Sequence, residues 1–180
     1  MLTVNEFTST PPSKLRLKEA QFFLGKFEDA GKAGHNDTLF LMTSYLDAFL
    51  FTFVSIEEMV PDDIKAELRN LEIFKFFKAL RNISTHHVIL SASSESKFKP
   101  AVSRQVHIGV NCKVPQNAKF FIHAERLQEI FDTILIGNKN ERHTIPNAKA
   151  FLAKEQVKNQ SVILLDLMKK AVNDVFDYVV

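Results

Sequence analysis

The chain has 180 residues, 46% of them apolar and 24% charged, with a net charge of +2. This is enough chain for one domain with a sizeable core, and the charge is too small to argue for nucleic acid without a local basic patch. Cys112 is the sole cysteine, which excludes an internal disulfide framework and a cysteine-based zinc site.

The 17 Phe, against 2 Tyr and no Trp, predict a phenylalanine-rich core. A lone cysteine suits a reducing compartment. The opening MLTVNEFTSTPPSK lacks a basic segment followed by an apolar one. The expected location is cytoplasmic.

Residues 1–11 read as a lead-in to Pro11-Pro12. Ser13 is placed to cap a helix to about Lys32, with Leu17, Phe22, Phe23, Leu24 and Phe27 as apolar members and Gly31 and Gly34 ending it. Asn36 or Asp37 would cap a second helix, from Thr38 to about Met59. Within it, LFLMTSYLDAFLFTFVSI is 18 residues long, near the lower limit for a membrane span. Thr43, Ser44, Asp47, Thr52 and Ser55 interrupt the run, and Glu57 and Glu58 follow it. The reading is therefore a core helix buried on several sides, with no membrane partner.

Pro61 breaks the chain, and Asp62 and Asp63 favour a helix N-terminus. A third helix is expected from there to about His86, followed by the polar loop SASSESKFKP. In QVHIGVNCK, Val106, Ile108, Val110 and Cys112 alternate with polar residues or glycine, the period of a half-buried strand. VPQNAK then turns into a second strand, KFFIHA, giving a hairpin inserted over about residues 101–123. A helix over about 125–136, the loop GNKNERHTIPN and a last helix or broken pair over about 147–178 complete the chain. The expected fold class is mainly α: a four- or five-helix bundle with a small inserted β-hairpin.

The stretch FKALRNISTHHVIL carries the candidate chemistry. On a helical wheel, Phe76, Phe77, Leu80, Ile83 and Ser84 lie within about 80° of Ile73 and form a core face. Lys75, Lys78 and Asn82 define the opposite face. Arg81 and His86 border that polar face about 140° apart, so one straight helix does not bring them together. Thr85 and Val88 are β-branched, and unwinding near Ser84-Thr85 is one way to close the gap. A second subunit covering the polar face is another. The structural alternative is a basic, solvated helix end whose Arg, Asn and His satisfy the last carbonyls.

Other candidates carry weaker patterns. His107 and His123 sit on the two expected strands without a third metal ligand. His143 belongs to a surface loop, and His35 to a helix boundary. Ser84 and Ser161 lack a Gly-x-Ser-x-Gly context. Cys112 reads as a buried strand position. No cofactor motif and no metal site are expected.

R-x4-H with a polar residue directly after the Arg, here Arg81, Asn82 and His86 in LEIFKFFKALRNISTHH, resembles the active motif of HEPN (higher eukaryotes and prokaryotes nucleotide-binding) domains. The preceding SYLDAFLFTFVSIEE, with its central Asp47, is similar to the helix that packs before the motif in that family. The likeness spans residues 38–90. It implies a single HEPN-like domain over 1–180, a homodimer whose motif helices face one cleft, and RNA or nucleotide as ligand. It further implies a metal-independent endoribonuclease, such as a toxin or defence factor, or a module that has lost catalysis and binds a nucleotide, an antitoxin or another protein. Arg81 and His86 would act at the scissile phosphate, supported by Asn82, His87, Lys75, Lys78 and Asp47. Family toxins paired with nucleotidyltransferase antitoxins carry a Tyr two residues after the His. Val88 stands there in this chain, which argues against tyrosine nucleotidylylation at this site.

Overall fold

The computed structural model describes residues 10–33, 37–86, 102–104, 120–122, 124–137, 143–158 and 162–179. Its helices are α1 (Pro12–Ala33), α2 (Thr38–Ser55), α3 (Asp62–Asn70), α4 (Glu72–His86), α5 (Ala124–Gly137), α6 (Thr144–Lys158) and α7 (Leu164–Val179). A 3-10 turn, Ile56–Met59, extends α2. Three short strands, β1 (Val102–Arg104), β2 (Phe120–Ile122) and β3 (Val162–Ile163), complete the described elements. The architecture is a mainly-α helical bundle.

The helix starts follow local chemistry, with two corrections. Pro12 occupies the first helical position of α1, where its missing N–H costs nothing and its φ is already helical. Leu15 N–H donates to Pro11 C=O at 3.1 Å, so Ser13 is a buried helical residue and not the cap. Asp37 holds the cap position of α2 through its backbone, with Leu41 N–H donating to its carbonyl at 2.9 Å, but its side chain makes no capping bond.

The helix expected over 62–86 is two helices. Leu71 adopts extended backbone, φ −64° and ψ 119°, and the chain restarts with Glu72 in the first turn of α4. The last segment takes the broken-pair form, one of the two expected, as α6 and α7 joined through β3, and it starts earlier, at Thr144. Among the described residues this makes seven helices.

β2 is central in the sheet, antiparallel to both neighbours, with Ser103 opposite Phe121 and Phe121 opposite Ile163. It falls inside the expected strand KFFIHA. The expected strand over Val106–Cys112 lies outside the described residues. β3, just ahead of α7, ties the insertion to the bundle.

One hydrophobic cluster draws on all seven helices. Its centre is aromatic: Phe53 packs against Phe49, Phe74 and Phe77 at ring separations of 5.3 to 5.6 Å. Phe76 carries the contact onward to Phe151 on α6, at 5.1 Å. α4 is the middle of the bundle, packed on α6, α2, α3 and α7. Accordingly Phe74 and Ala79 are buried together with the wheel's core face. α2 is apolar enough to span a membrane over Phe40–Met59 by length and composition alone, yet 56% of that window is buried in the bundle.

Candidate functional site

α4 presents Arg81 and Ser84 to the side of α2 that carries Asp47. Ser84 Oγ donates to Asp47 Oδ1 at 2.5 Å, joining residues 37 apart in sequence. Thr85 Oγ donates back to Arg81 C=O at 2.8 Å, a bond within the helix. Together with Leu50 and Phe51, these residues line a small pocket of about 270 Å³.

Arg81 is half-buried. Its Nη1 reaches Asn82 Oδ1 at 3.3 Å, a long hydrogen bond. Its Nε is buried and meets no acceptor among the described residues. Arg81 lines the pocket, and its guanidinium carries Nη donors besides the buried Nε–H, so it has donor capacity for an anionic oxygen there. Asp47 on the α2 side is an acceptor, and so is the oxygen of Ser84, which lies on the same helix as Arg81 and commits its proton to Asp47. One pocket therefore brings a guanidinium and acceptor oxygens together.

The remaining predicted residues divide. Lys78 does not line this pocket: its Nζ donates to Glu57 Oε2 at 2.6 Å. Glu57, 1% exposed, also takes Arg69 Nε at 2.5 Å on its other oxygen. Its carboxyl sits below the ordinary 4.5: burial pushes it up, but the hydrogen bonds from Lys78 and Arg69 outweigh that. Lys78 is thus one of two cations that clamp the buried Glu57, joining the turn after α2 to α3 and α4. Glu57 was readable only as part of an acidic pair after an apolar helix, and nothing in that pattern marks it as buried. Lys75 is half-buried on α4. His86 is the last residue of α4, and its side chain lies outside the described structure, as does all of His87. His35, His107, Cys112 and His123 also lie outside the described residues. His143 is exposed and accepts Asn147 Nδ2 on its backbone carbonyl at 2.7 Å.

Phe51 was not singled out by sequence reasoning. It is 56% exposed, and it lines both the Arg81 pocket and a larger apolar groove of about 530 Å³ between α1 and α2. Its signal in the sequence was hidden, because every phenylalanine in an all-apolar helix reads as core. Among the described residues, no three His, Cys, Asp or Glu side chains are grouped to hold a metal ion. No family model, curated protein or solved structure matches the chain.

Proposed function

We propose that the chain is a HEPN-like endoribonuclease that works without a metal ion in the cytoplasm, as a homodimer. The observation that carries this reading is the meeting of the Arg81 guanidinium and the Asp47–Ser84 acceptors in one pocket. Phosphate oxygens need donors and ribose hydroxyls find acceptors, so this set of groups suits a ribose phosphate.

In this reading Arg81 binds the scissile phosphate and stabilises charge as it develops. The 2′-oxygen of the RNA attacks phosphorus, the bond from phosphorus to the 5′-oxygen breaks, and a cyclic 2′,3′-phosphate and a 5′-hydroxyl result. The proton lost by the 2′-hydroxyl and the proton gained by the leaving oxygen need a group that titrates near neutrality. His86 has that chemistry, and the family resemblance implies a mate subunit whose motif helix faces the same cleft.

A second reading is a non-catalytic module that binds a nucleotide or a protein on the same scaffold. The observation favouring it is that Lys78 is committed to Glu57, which removes a cation from the approach of a long RNA backbone. The test for both is RNA incubated in EDTA with wild type and with Arg81→Ala, His86→Ala and His87→Ala. Cleavage by wild type, lost in Arg81→Ala and His86→Ala, is the expected result. Intact RNA with wild type, but nucleotide binding that depends on Arg81, selects the second reading. Equal cleavage by Arg81→Ala ends the catalytic assignment.

A further inference from the structure

We infer that Phe51 is the stacking surface for an unpaired base of the RNA whose phosphate lies at Arg81, so that the substrate is single-stranded at the site. This rests on the ribose-phosphate reading of the Arg81 pocket. Three observations carry it. First, Phe51 is 56% exposed toward the C-terminal end of α2, while Leu50 and Phe53 beside it are buried. Second, Phe51 is the residue that lines both the polar pocket and the apolar groove.

Third, the two cavities together hold the kinds of groups a nucleotide needs. The polar pocket has Arg81 for phosphate and the Ser84 and Asp47 acceptors for ribose, and Phe51 also lines the apolar groove with Phe22 and Phe23. That groove has the size of sites that hold small organic groups, roughly 300–1,000 Å³. A phenyl face accepts any base, which gives affinity without sequence preference. A base in a duplex is already stacked and paired and does not present its face, so an unpaired strand is selected.

The absence of tryptophan from the sequence makes the test direct. Phe51→Trp places a single indole at the junction of the cavities. Single-stranded RNA is expected to quench its fluorescence, and an abasic ribose-phosphate oligomer of the same length is not. Phe51→Ala should weaken single-stranded RNA binding, followed by anisotropy of labelled RNA, by between about fivefold and about a hundredfold. It should weaken binding of the abasic oligomer by a smaller factor, so that the preference for the base-bearing strand falls.

If RNA binding depends on Arg81 but the indole is silent and Phe51→Ala binds like wild type, the stacking inference falls and the pocket reading stands. If no variant or wild type binds RNA, both fall. If the indole shifts to the blue as protein concentration rises and RNA leaves it unquenched, a second copy covers Phe51, and the inference is overturned.

Discussion

Ser84 on α4 donates a 2.5 Å hydrogen bond to Asp47 on α2, and this bond joins the two helices at the Arg81 pocket. A hydrogen bond to a charged acceptor contributes about 1.5–3 kcal/mol, and part exposure lowers that. Ser84→Ala is therefore expected to destabilise the fold by about 1 kcal/mol. Urea unfolding measures it. A stability equal to wild type would mean that water replaces the serine without loss, and the bond would then have no part in holding α4 on α2.

Glu57 is held by two cations that behave differently from it. Its carboxylate is buried, whereas the Arg69 and Lys78 side chains are 55% and 34% exposed. Glu57→Ala leaves the cations free to turn to water, so the loss falls below the 3–5 kcal/mol of a stranded buried charge. About 1–3 kcal/mol is expected. Lys78→Ala leaves the carboxylate with Arg69 alone. It should cost more than Lys154→Ala, which breaks the exposed pair with Glu72 and is expected to change stability by under about 1 kcal/mol. Equal losses for Lys78→Ala and Lys154→Ala would show that burial of Glu57 adds nothing to its ion pairs.

The same clamp predicts a pH dependence with a defined sign. The folded carboxyl of Glu57 titrates below its ordinary 4.5, because hydrogen bonds from Lys78 and Arg69 outweigh the upward push of burial. Glu28 shifts the same way, through hydrogen bonds from Lys169 and then Lys32. As pH falls through 4.5 the unfolded chain takes up protons first, so it is favoured. The stabilisation is complete above that pH and is lost as pH falls through the folded value. Thermal unfolding should therefore be insensitive to Glu57 titration near neutrality and drop in acid. Glu57→Gln should reduce the slope of that acid drop. An unchanged slope would assign the acid sensitivity to other carboxylates.

The mainly-α class was legible because α1 and α2 follow strong apolar patterns bounded by Pro11-Pro12 and Asp37. The break at Leu71 was not legible. Asn70 and Glu72 are compatible with a helix interior, and the apolar period runs through the joint, so only tertiary packing of α3 and α4 selects the extended residue. β3 was missed for a simpler reason: two residues, Val162 and Ile163, cannot display an alternation. At the site, the wheel placed Ser84 on the core face, and Ser84 reaches a buried-side partner, Asp47, as that position implies. The wheel could not show that Lys78, on the polar face, turns to Glu57, because that pairing joins elements 21 residues apart.

The aromatic centre carries the largest expected single effect. Phe53 is fully buried and meets the rings of Phe49, Phe74 and Phe77. Phe53→Ala removes those contacts from a site closed on all sides by helices, at a cost of about 3–5 kcal/mol. Phe53→Leu keeps most of the volume and should cost less than half as much. Chemical denaturation of the two variants checks the order. Similar losses would mean that ring geometry, not filled volume, sets the stability of this cluster.

Arg81 combines a cost to folding with a use in binding. Its buried Nε–H has no acceptor among the described residues, and such a group costs about 1–3 kcal/mol. Met matches the length of the arginine stem and brings no donor. Arg81→Met is therefore expected to be as stable as wild type, or more stable by about 1 kcal/mol. The same change removes the charge that would hold phosphate. A ribonucleotide that binds wild type raises its unfolding midpoint by mass action, and it should leave the midpoint of Arg81→Met unmoved. Denaturation with and without ribonucleotide separates the two roles. A loss of more than about 1 kcal/mol in Arg81→Met without ligand would show that the guanidinium supports the fold, because removal of an unsatisfied donor cannot by itself destabilise.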